Sequence, residues 1–278
     1  MRVIGIAHEE IVLVTGASRG IGRRIASGLA EKGYLVVAVA RNQEELFSLS
    51  QESKGKVVVF CGDVSDPDFV IRLQKQVLTA HGVVQVLVNA AGIYGPLSLV
   101  HETDPSEWVR TIMVDLVAPY YLMRAFLPDM LGLKWGRIVN IGSAASLHSP
   151  GALNSAYGTA KVSLNQLTRH VAAEVAGSGV TVNVIHPGDV KTEMWADIRH
   201  KTGRLGEVGR AYQDWVDWVE KTGGDDPQKS IDLVLKLIGP DSASVNGRFC
   251  WISEPLQAPI PSWLEPGDTR PWGDAKNI

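Results

Sequence analysis

Cysteine is scarce: Cys61 and Cys250 are the only two among 278 residues. There is no C-x-x-C pair, and none of the seven histidines stands in an H-x-x-x-H spacing, so the chain shows no metal-ligand signature and no metal is expected. Long apolar runs are missing as well. Uninterrupted ones such as "LVVAVA" at 35–40 fall far short of the roughly 18 residues a membrane span needs, and the opening "MRVIGIAHEEIVLVTG" has neither the apolar length nor the small-residue site of a signal peptide. The expectation is a cytoplasmic protein with no membrane contact. A formal net charge of −3 and a pI near 6.2 lack the basic excess that neutralises phosphates, so nucleic acid is not an expected partner. No internal repeat or low-complexity run occurs. A chain that is 45% apolar and 21% charged is an ordinary globular one, read here as one domain.

Short β-branched runs alternate with segments of helical period, which predicts βαβ units and a parallel sheet. Seven strands are predicted, at 11–14, 35–40, 57–60, 86–89, 137–141, 180–185 and 248–252. Helices are predicted over 21–32, 43–51, 67–81, 105–131, 154–177 and 229–238, the third with Asp66 as N-cap and Pro67 as first helical residue. Two segments break the alternation. Residues 191–226, carrying Trp195, Tyr212, Trp215 and Trp218, follow the sixth strand, beyond whose carboxyl end an α/β sheet binds ligands. They read either as packing or interface aromatics or as a substrate lid. The tail over 255–278 is rich in proline and tryptophan, with Ile260, Trp263 and Trp272 after Trp251. The division expected is thus 1–254 as a nucleotide-binding domain with 191–226 as a lid insertion, then the tail.

"TGASRGIG", Thr15 to Gly22, follows the first strand and leads into a helix. Gly16, Gly20 and Gly22 let the backbone turn tightly beside a pyrophosphate, whose charge the helix N-terminus favours. The spacing is G-x-x-x-G-x-G, not the commoner G-x-G-x-x-G. A carboxylate ending the second strand would suit the ribose of NAD, a basic residue the 2′-phosphate of NADP. Ala40 holds the usual acidic place, Arg41 follows, and Arg19 with Ser18 stands in the glycine loop. Arg41 alone could be a solvated surface residue; two arginines without the acid favour NADP(H) over NAD(H).

Taken with "GDV" at 62–64, "NAAG" at 89–92, "GRIVNIGS" at 136–143, "YGTAK" at 157–161 and "HPGDVKTEM" at 186–194, the glycine loop resembles the short-chain dehydrogenase/reductase family over about residues 9–252. The resemblance implies an α/β fold of Rossmann type, a doubly wound parallel sheet in the order 3-2-1-4-5-6-7. In that order the two cysteines sit on opposite edges, beyond the roughly 7 Å limit of a disulfide. It also implies cofactor contacts from Gly16, Ser18, Arg19, Gly20, Ile21 and Gly22, with Asp63 and Val64 about the adenine. Asn89, Ala90 and Gly92 would line the cofactor, and Pro187, Gly188, Val190 and Thr192 would pass the nicotinamide amide. Tyr157 would move the proton, Lys161 one turn on would stabilise its anion and hold the nicotinamide ribose, and Ser143 would bind the substrate oxygen.

One position departs from the family. Its fourth catalytic residue is an asparagine that helps hold a water in a proton relay to the lysine, and "TIMVDLVAPYYL" puts Asp115 there. A carboxylate could accept from such a water, or pair with Lys161 and weaken its effect on Tyr157. In the loop before Tyr157, His148 is expected at the pocket rim or satisfied within the loop. "DIRHKTGR", 197–204, is expected to be a solvated mixed-charge face with Asp214, Asp217 and Glu220. The function implied is NADP(H)-dependent interconversion of a small-molecule carbonyl and a secondary alcohol. Alternatives are a 3-oxoacyl-thioester reductase, which the basic stretch would serve, and a regulatory protein that binds nucleotide without turnover. A homodimer or homotetramer through the helices at 105–131 and 154–177 is implied too.

Overall fold

The computed structural model describes residues 10–147 and 151–252. His148 and the tail, with Ile260, Trp263 and Trp272, lie outside the described residues.

Seven parallel strands form one sheet, β1 (Ile11–Thr15), β2 (Leu35–Ala40), β3 (Val57–Cys61), β4 (Val86–Asn89), β5 (Gly136–Ile141), β6 (Val180–His186) and β7 (Phe249–Trp251). Their order is β3-β2-β1-β4-β5-β6-β7, the predicted Rossmann-type topology. β1, β4, β5 and β6 are buried along their whole length because helices cover both faces. Strand side chains alternate between two cores. On one face Val12, Val14, Val36, Ala38 and Val88 pack against α1 (Gly20–Glu31), α2 (Gln43–Glu52) and α9 (Gln228–Ile238). On the other, Leu13, Val37, Val39, Leu87 and Ile138 meet α3 (Pro67–Ala80), α5 (Ala118–Leu133) and α6 (Ser155–Glu174). Asp66 caps α3 by accepting from the Asp68 N–H at 2.9 Å, with Pro67 at the first helical position, as predicted.

Three differences from the sequence reading matter. The helix predicted over 105–131 is α4 (Pro105–Ile112) and α5 joined by a π turn, Met113–Val117. Pro119 has no N–H for the Asp115 carbonyl four residues back, and its ring crowds that carbonyl. The chain widens instead, the Ala118 N–H bonding to the Met113 carbonyl. Second, α6 stops at Glu174, short of the expected 177. Gly177 and Gly179 then take φ of +76° and +89°, and a Cβ on Gly179 would sit 2.0 Å from the Lys134 carbonyl oxygen. Third, the 191–226 insertion is itself helical, α7 (Glu193–Thr202) and α8 (Arg210–Thr222), closed at its base by an antiparallel bridge between Val190 and Gly224. Cys61 is exposed and Cys250 buried, both free and on opposite edges of the sheet. No described helix is long and apolar enough to cross a membrane.

Gly22 fixes the junction of β1 and α1, because a Cβ there would lie 2.3 Å from the Gly16 carbonyl oxygen. Gly132, on α5, has nothing within 4 Å. Gly22→Ala should therefore destabilise the protein by about 1–3 kcal/mol, and Gly132→Ala should stabilise it by about 0.5–1 kcal/mol. Urea unfolding of both variants checks this; equal midpoints would show that the junction tolerates a methyl group.

Candidate active site

In a parallel sheet all carboxyl ends share one edge, so the loops after β1, β4, β5 and β6 converge there. Thr15 ties two of them together: its Oγ1 accepts from the N–H groups of Ala90 and Ala91, each at 3.0 Å. Asn89 Nδ2 donates to Asn140 Oδ1 at 2.7 Å across β4 and β5, and Asn140 Nδ2 donates to Thr168 Oγ1 on α6 at 2.8 Å. Buried amides thus lock β4, β5 and α6 together beneath the site.

The glycine loop takes the form its sequence requires. Gly16 and Gly20 have φ of +63° and +56°, and a Cβ on Gly16 would meet the Ala90 and Ala91 backbone at 2.8 Å. The N-terminus of α1 has no side-chain cap and no acidic residue in its first turn. Its free N–H groups and positive dipole end face the loop, which fits a dinucleotide's phosphates. Arg23 holds the loop from beneath, donating to the carbonyls of Ser18 at 3.3 Å and Glu45 at 2.8 Å while pairing with Glu52 at 2.8 Å. Ser18 is buried beside the exposed Arg19, and Ile21 is half-buried against the core.

Arg41 is exposed at the end of β2 beside the nearly buried Ala40, its guanidinium 3.8 Å from Asp63. Burial pushes the Asp63 carboxyl up. Two hydrogen bonds from Ser65, at 2.7 and 2.9 Å, and the charges of Arg41 and Arg110 bring it below its ordinary value. The structure therefore places Arg41, Asp63 and the buried Val64 together. The segment from Pro187 to Thr192 is pinned on both sides. The Pro187 carbonyl accepts from Ser230 Oγ at 2.6 Å, and Gly188, at φ +84°, leaves no room for a Cβ against Asp225 and Ile252. Val190 forms the bridge to Gly224, and Thr192 caps α7.

Ser143, Tyr157, Lys161 and Asp115 come together. Lys161 is buried; its Nζ donates to the Ile141 carbonyl at 3.0 Å and lies 3.1 Å from Asp115 Oδ2. Asp115, on the π turn, is fully buried, and its Oδ1 accepts from the Ile93 N–H at 2.8 Å. An ammonium at one oxygen and a backbone N–H at the other both favour the ionised carboxylate, so the pairing with Lys161 expected as one possibility is what the structure contains. Burial drives the Asp115 carboxyl up, opposed first by Lys161 and then by Ile93. Burial alone would depress the Lys161 ammonium, but the charges of Asp115 and Tyr157 carry it above its ordinary value. Lys161 Nζ is 5.4 Å from the Tyr157 ring centroid. Burial raises the Tyr157 phenol; Lys161 and the Ser143 hydroxyl act downward, Asp115 and Asp189 upward. Gly92 packs on the same carboxylate, where a Cβ would come within 3.1 Å of Asp115 Oδ2.

Several site residues escaped the sequence reading. His186 Nδ1 accepts from the Ala144 N–H at 3.2 Å, steadying the turn after Ser143. Arg23 supports the glycine loop. Tyr94 stacks on Tyr157 with centroids 4.7 Å apart; its only sequence signal was its place two residues after Gly92, past the carboxyl end of β4. Of the two roles left open for the insertion's aromatics, packing is the one that Trp195 and Trp215 fill. Trp195 is buried with Leu97, Leu153, Ile198, Val216 and Val219, Trp215 packs on that cluster, and Trp218 is exposed. The 197–204 stretch is ion-paired, Arg199 to Glu220 at 3.4 Å and Lys201 to Asp197 at 2.7 Å. No cluster of three or more potential metal ligands occurs among the described residues.

Comparison with known proteins agrees with this geometry. Residues 10–203 match the family model described as short chain dehydrogenase. The chain is 38% identical over 212 residues to a 3-oxoacyl-[acyl-carrier-protein] reductase of Haemophilus influenzae, covering 72% of this chain and 86% of that one. It superposes on an actinorhodin polyketide ketoreductase variant solved with NADPH, with a TM-score of 0.79, 29% identity and coverage of 87% and 95% of the two chains. A metagenomic short-chain oxidoreductase in complex with NADP gives a TM-score of 0.66 at 34% identity, covering 82% and 90%.

The buried pair yields a test that needs no substrate. Lys161→Met leaves the buried Asp115 carboxyl without its counter-charge and should cost about 3–5 kcal/mol. Adding Asp115→Asn should recover most of that loss. In Lys161→Met the lone carboxyl holds a proton when folded and releases it when unfolded, so its penalty should deepen as pH rises. Urea unfolding across pH checks this; additive losses in the double variant would rule out the pair.

Proposed function

Because the chain belongs to the short-chain dehydrogenase/reductase family, whose members are oxidoreductases that bind a nicotinamide cofactor, we propose that it is an NADP(H)-dependent oxidoreductase interconverting a small-molecule carbonyl and a secondary alcohol. The observation that carries the reading is the convergence of Tyr157, Lys161 and Asp115 beside Ser143 at the carboxyl edge of the sheet. When bound, the cofactor supplies or accepts the hydride at the carbonyl carbon.

Everything else is the work of the chain's own groups. Ser143 donates to the substrate oxygen and holds it within reach of the Tyr157 hydroxyl. Tyr157 gives its proton to that oxygen in reduction and takes one back in oxidation. Lys161, kept charged by Asp115 and the Ile141 carbonyl, stabilises the phenolate that forms. The insertion, with its buried Trp195 cluster, covers the substrate side. For the cofactor, Gly16, Ser18, Gly20 and Gly22 would hold the pyrophosphate, and Arg41 with Arg19 the 2′-phosphate. Asp63, Val64, Asn89, Ala90 and Gly92 would lie along its adenine half and middle, and Pro187, Gly188, Val190 and Thr192 at the nicotinamide. Exposed Val109 on α4 and Tyr120 on α5 support an assembly of two or four copies through α4, α5 and α6.

The 3-oxoacyl-thioester reading is favoured by the name of the Haemophilus influenzae relative. The basic stretch that would greet an acidic carrier works against it, since Arg199 and Lys201 already have acidic partners. A regulator without turnover has no feature of the site in its support.

Nicotinamide absorbance with a panel of ketones and aldehydes tests the proposal. NADPH should be preferred to NADH, by roughly tenfold for each 1.4 kcal/mol of charge-assisted bonding to the 2′-phosphate. Arg41→Asp should move the preference toward NADH, and Tyr157→Phe should abolish turnover while cofactor still binds. Equal binding of the two cofactors would overturn the NADP assignment, and substantial turnover by Tyr157→Phe the catalytic one.

A further inference from the structure

We propose that Tyr94 is a positioning residue that couples the 191–226 insertion to the proton-transferring phenol of Tyr157, an inference that rests on the catalytic reading of Tyr157 given above. Tyr94 leaves the end of β4 two residues after Gly92, and its ring lies against that of Tyr157, centroids 4.7 Å apart and planes at 33°. Its other end is tied down. The Tyr94 hydroxyl accepts from Asn154 Nδ2 at 2.9 Å, and its second side-chain partner is the hydroxyl of Tyr212 on α8. Tyr212 packs on Tyr94 in a T-shaped pair, ring centroids 6.4 Å apart and planes at 85°, and its hydroxyl donates to the Ala152 carbonyl at 3.2 Å. Tyr94 thus touches the catalytic phenol with its ring and the insertion with its ring and hydroxyl.

This arrangement has a chemical consequence. The groups acting on Tyr157 come from every side: Lys161 on the same helix, Asp115 from the π turn, Ser143 after β5, Asp189 after β6 and Tyr94 after β4. Lys161, Asp115 and Asp189 act through charge. Tyr94 acts through its ring, which limits the rotation of the phenol and keeps water off its face, and removal from water is the largest influence on that phenol. An insertion seated through Tyr212 presses Tyr94 onto Tyr157; an insertion that lifts would release both the orientation and the dry environment. Proton transfer is thereby tied to closure over the substrate.

The test separates the two ends of Tyr94 in the full chain. Tyr157's own ionisation is read, without substrate, as the tyrosinate absorbance of each protein minus that of its Tyr157→Phe counterpart. Tyr94→Ala should wet the ring face and move that ionisation down by about one pH unit, a tenfold gain in ionised fraction at a given lower pH. Tyr94→Phe keeps the stack and loses the hydroxyl. It should leave the titration in place, yet raise KM for a carbonyl substrate about fivefold, the worth of one hydrogen bond of about 1 kcal/mol, and more than it lowers kcat. Tyr212→Phe should do the same. A Tyr157 titration unmoved in Tyr94→Ala, or an unchanged KM in Tyr94→Phe, overturns the proposal; if Tyr94→Ala does not fold, Tyr94→Phe decides alone. Failure of the catalytic reading is distinguishable, because it would appear as turnover surviving Tyr157→Phe with the titration difference still measurable.

Discussion

A buried ammonium keeps its proton only if something replaces the water it has lost, and at Lys161 the replacement is the Asp115 carboxylate at 3.1 Å and the Ile141 carbonyl at 3.0 Å. Much of the site depends on that contact. It joins α6 to the π turn between α4 and α5, and through Asp115 Oδ1 and the Ile93 N–H it reaches the loop after β4. That loop carries Gly92 and Tyr94, and Tyr94 rests on Tyr157, one turn before Lys161. The ion pair, the phenol and the loop after β4 form one closed circuit of contacts.

The circuit exists because the helix before β5 is imperfect. Pro119 cannot donate to the Asp115 carbonyl, the turn widens, and the carboxylate is presented to both Ile93 and Lys161. The rest of the molecule is a frame for this defect. Strands buried on both faces hold the four converging loops, and the Asn89–Asn140–Thr168 amide chain fixes α6 laterally. The glycine loop, closed by the near contact of Gly22 with Gly16, lies on the opposite side of β4 from β5.

Much of this was legible in the sequence, for identifiable reasons. Strand positions were clear because strands buried on both faces are short runs rich in β-branched residues, as at 35–40 and 180–185. Asp66–Pro67 announced a helix start by local chemistry alone. Ser143, Tyr157, Lys161 and Asp115 were singled out through the resemblance to the family, and the structure brings the four together at the carboxyl edge of the sheet. The π turn was not legible, because periodicity does not change across five residues, although Pro119 was its visible cause. In the insertion α7 was hidden because it has a weak apolar face and is held by Thr192 capping, by Lys191 and Arg199 over Trp195, and by ion pairs to Glu220. Tyr94 and Tyr212 owe their roles to neighbours 60 or more residues distant, and Arg23 ties the nearby Ser18 carbonyl to the Glu45 carbonyl 22 residues on, which no local pattern encodes.

The central claim is that the Asp115 carboxylate, whose negative charge offsets that of the Lys161 ammonium beside the phenol, raises the pKa at which Tyr157 ionises. The most direct measurement is the pH dependence of alcohol oxidation in the parent and in Asp115→Asn, which removes the charge and keeps the shape. With the amide, Lys161 acts on Tyr157 without an opposing carboxylate, so the rate should reach its plateau at a pH lower by roughly one unit, with fold and cofactor affinity nearly unchanged. Superimposable profiles would contradict the account, since they would mean that the carboxylate carries no charge that the phenol can feel.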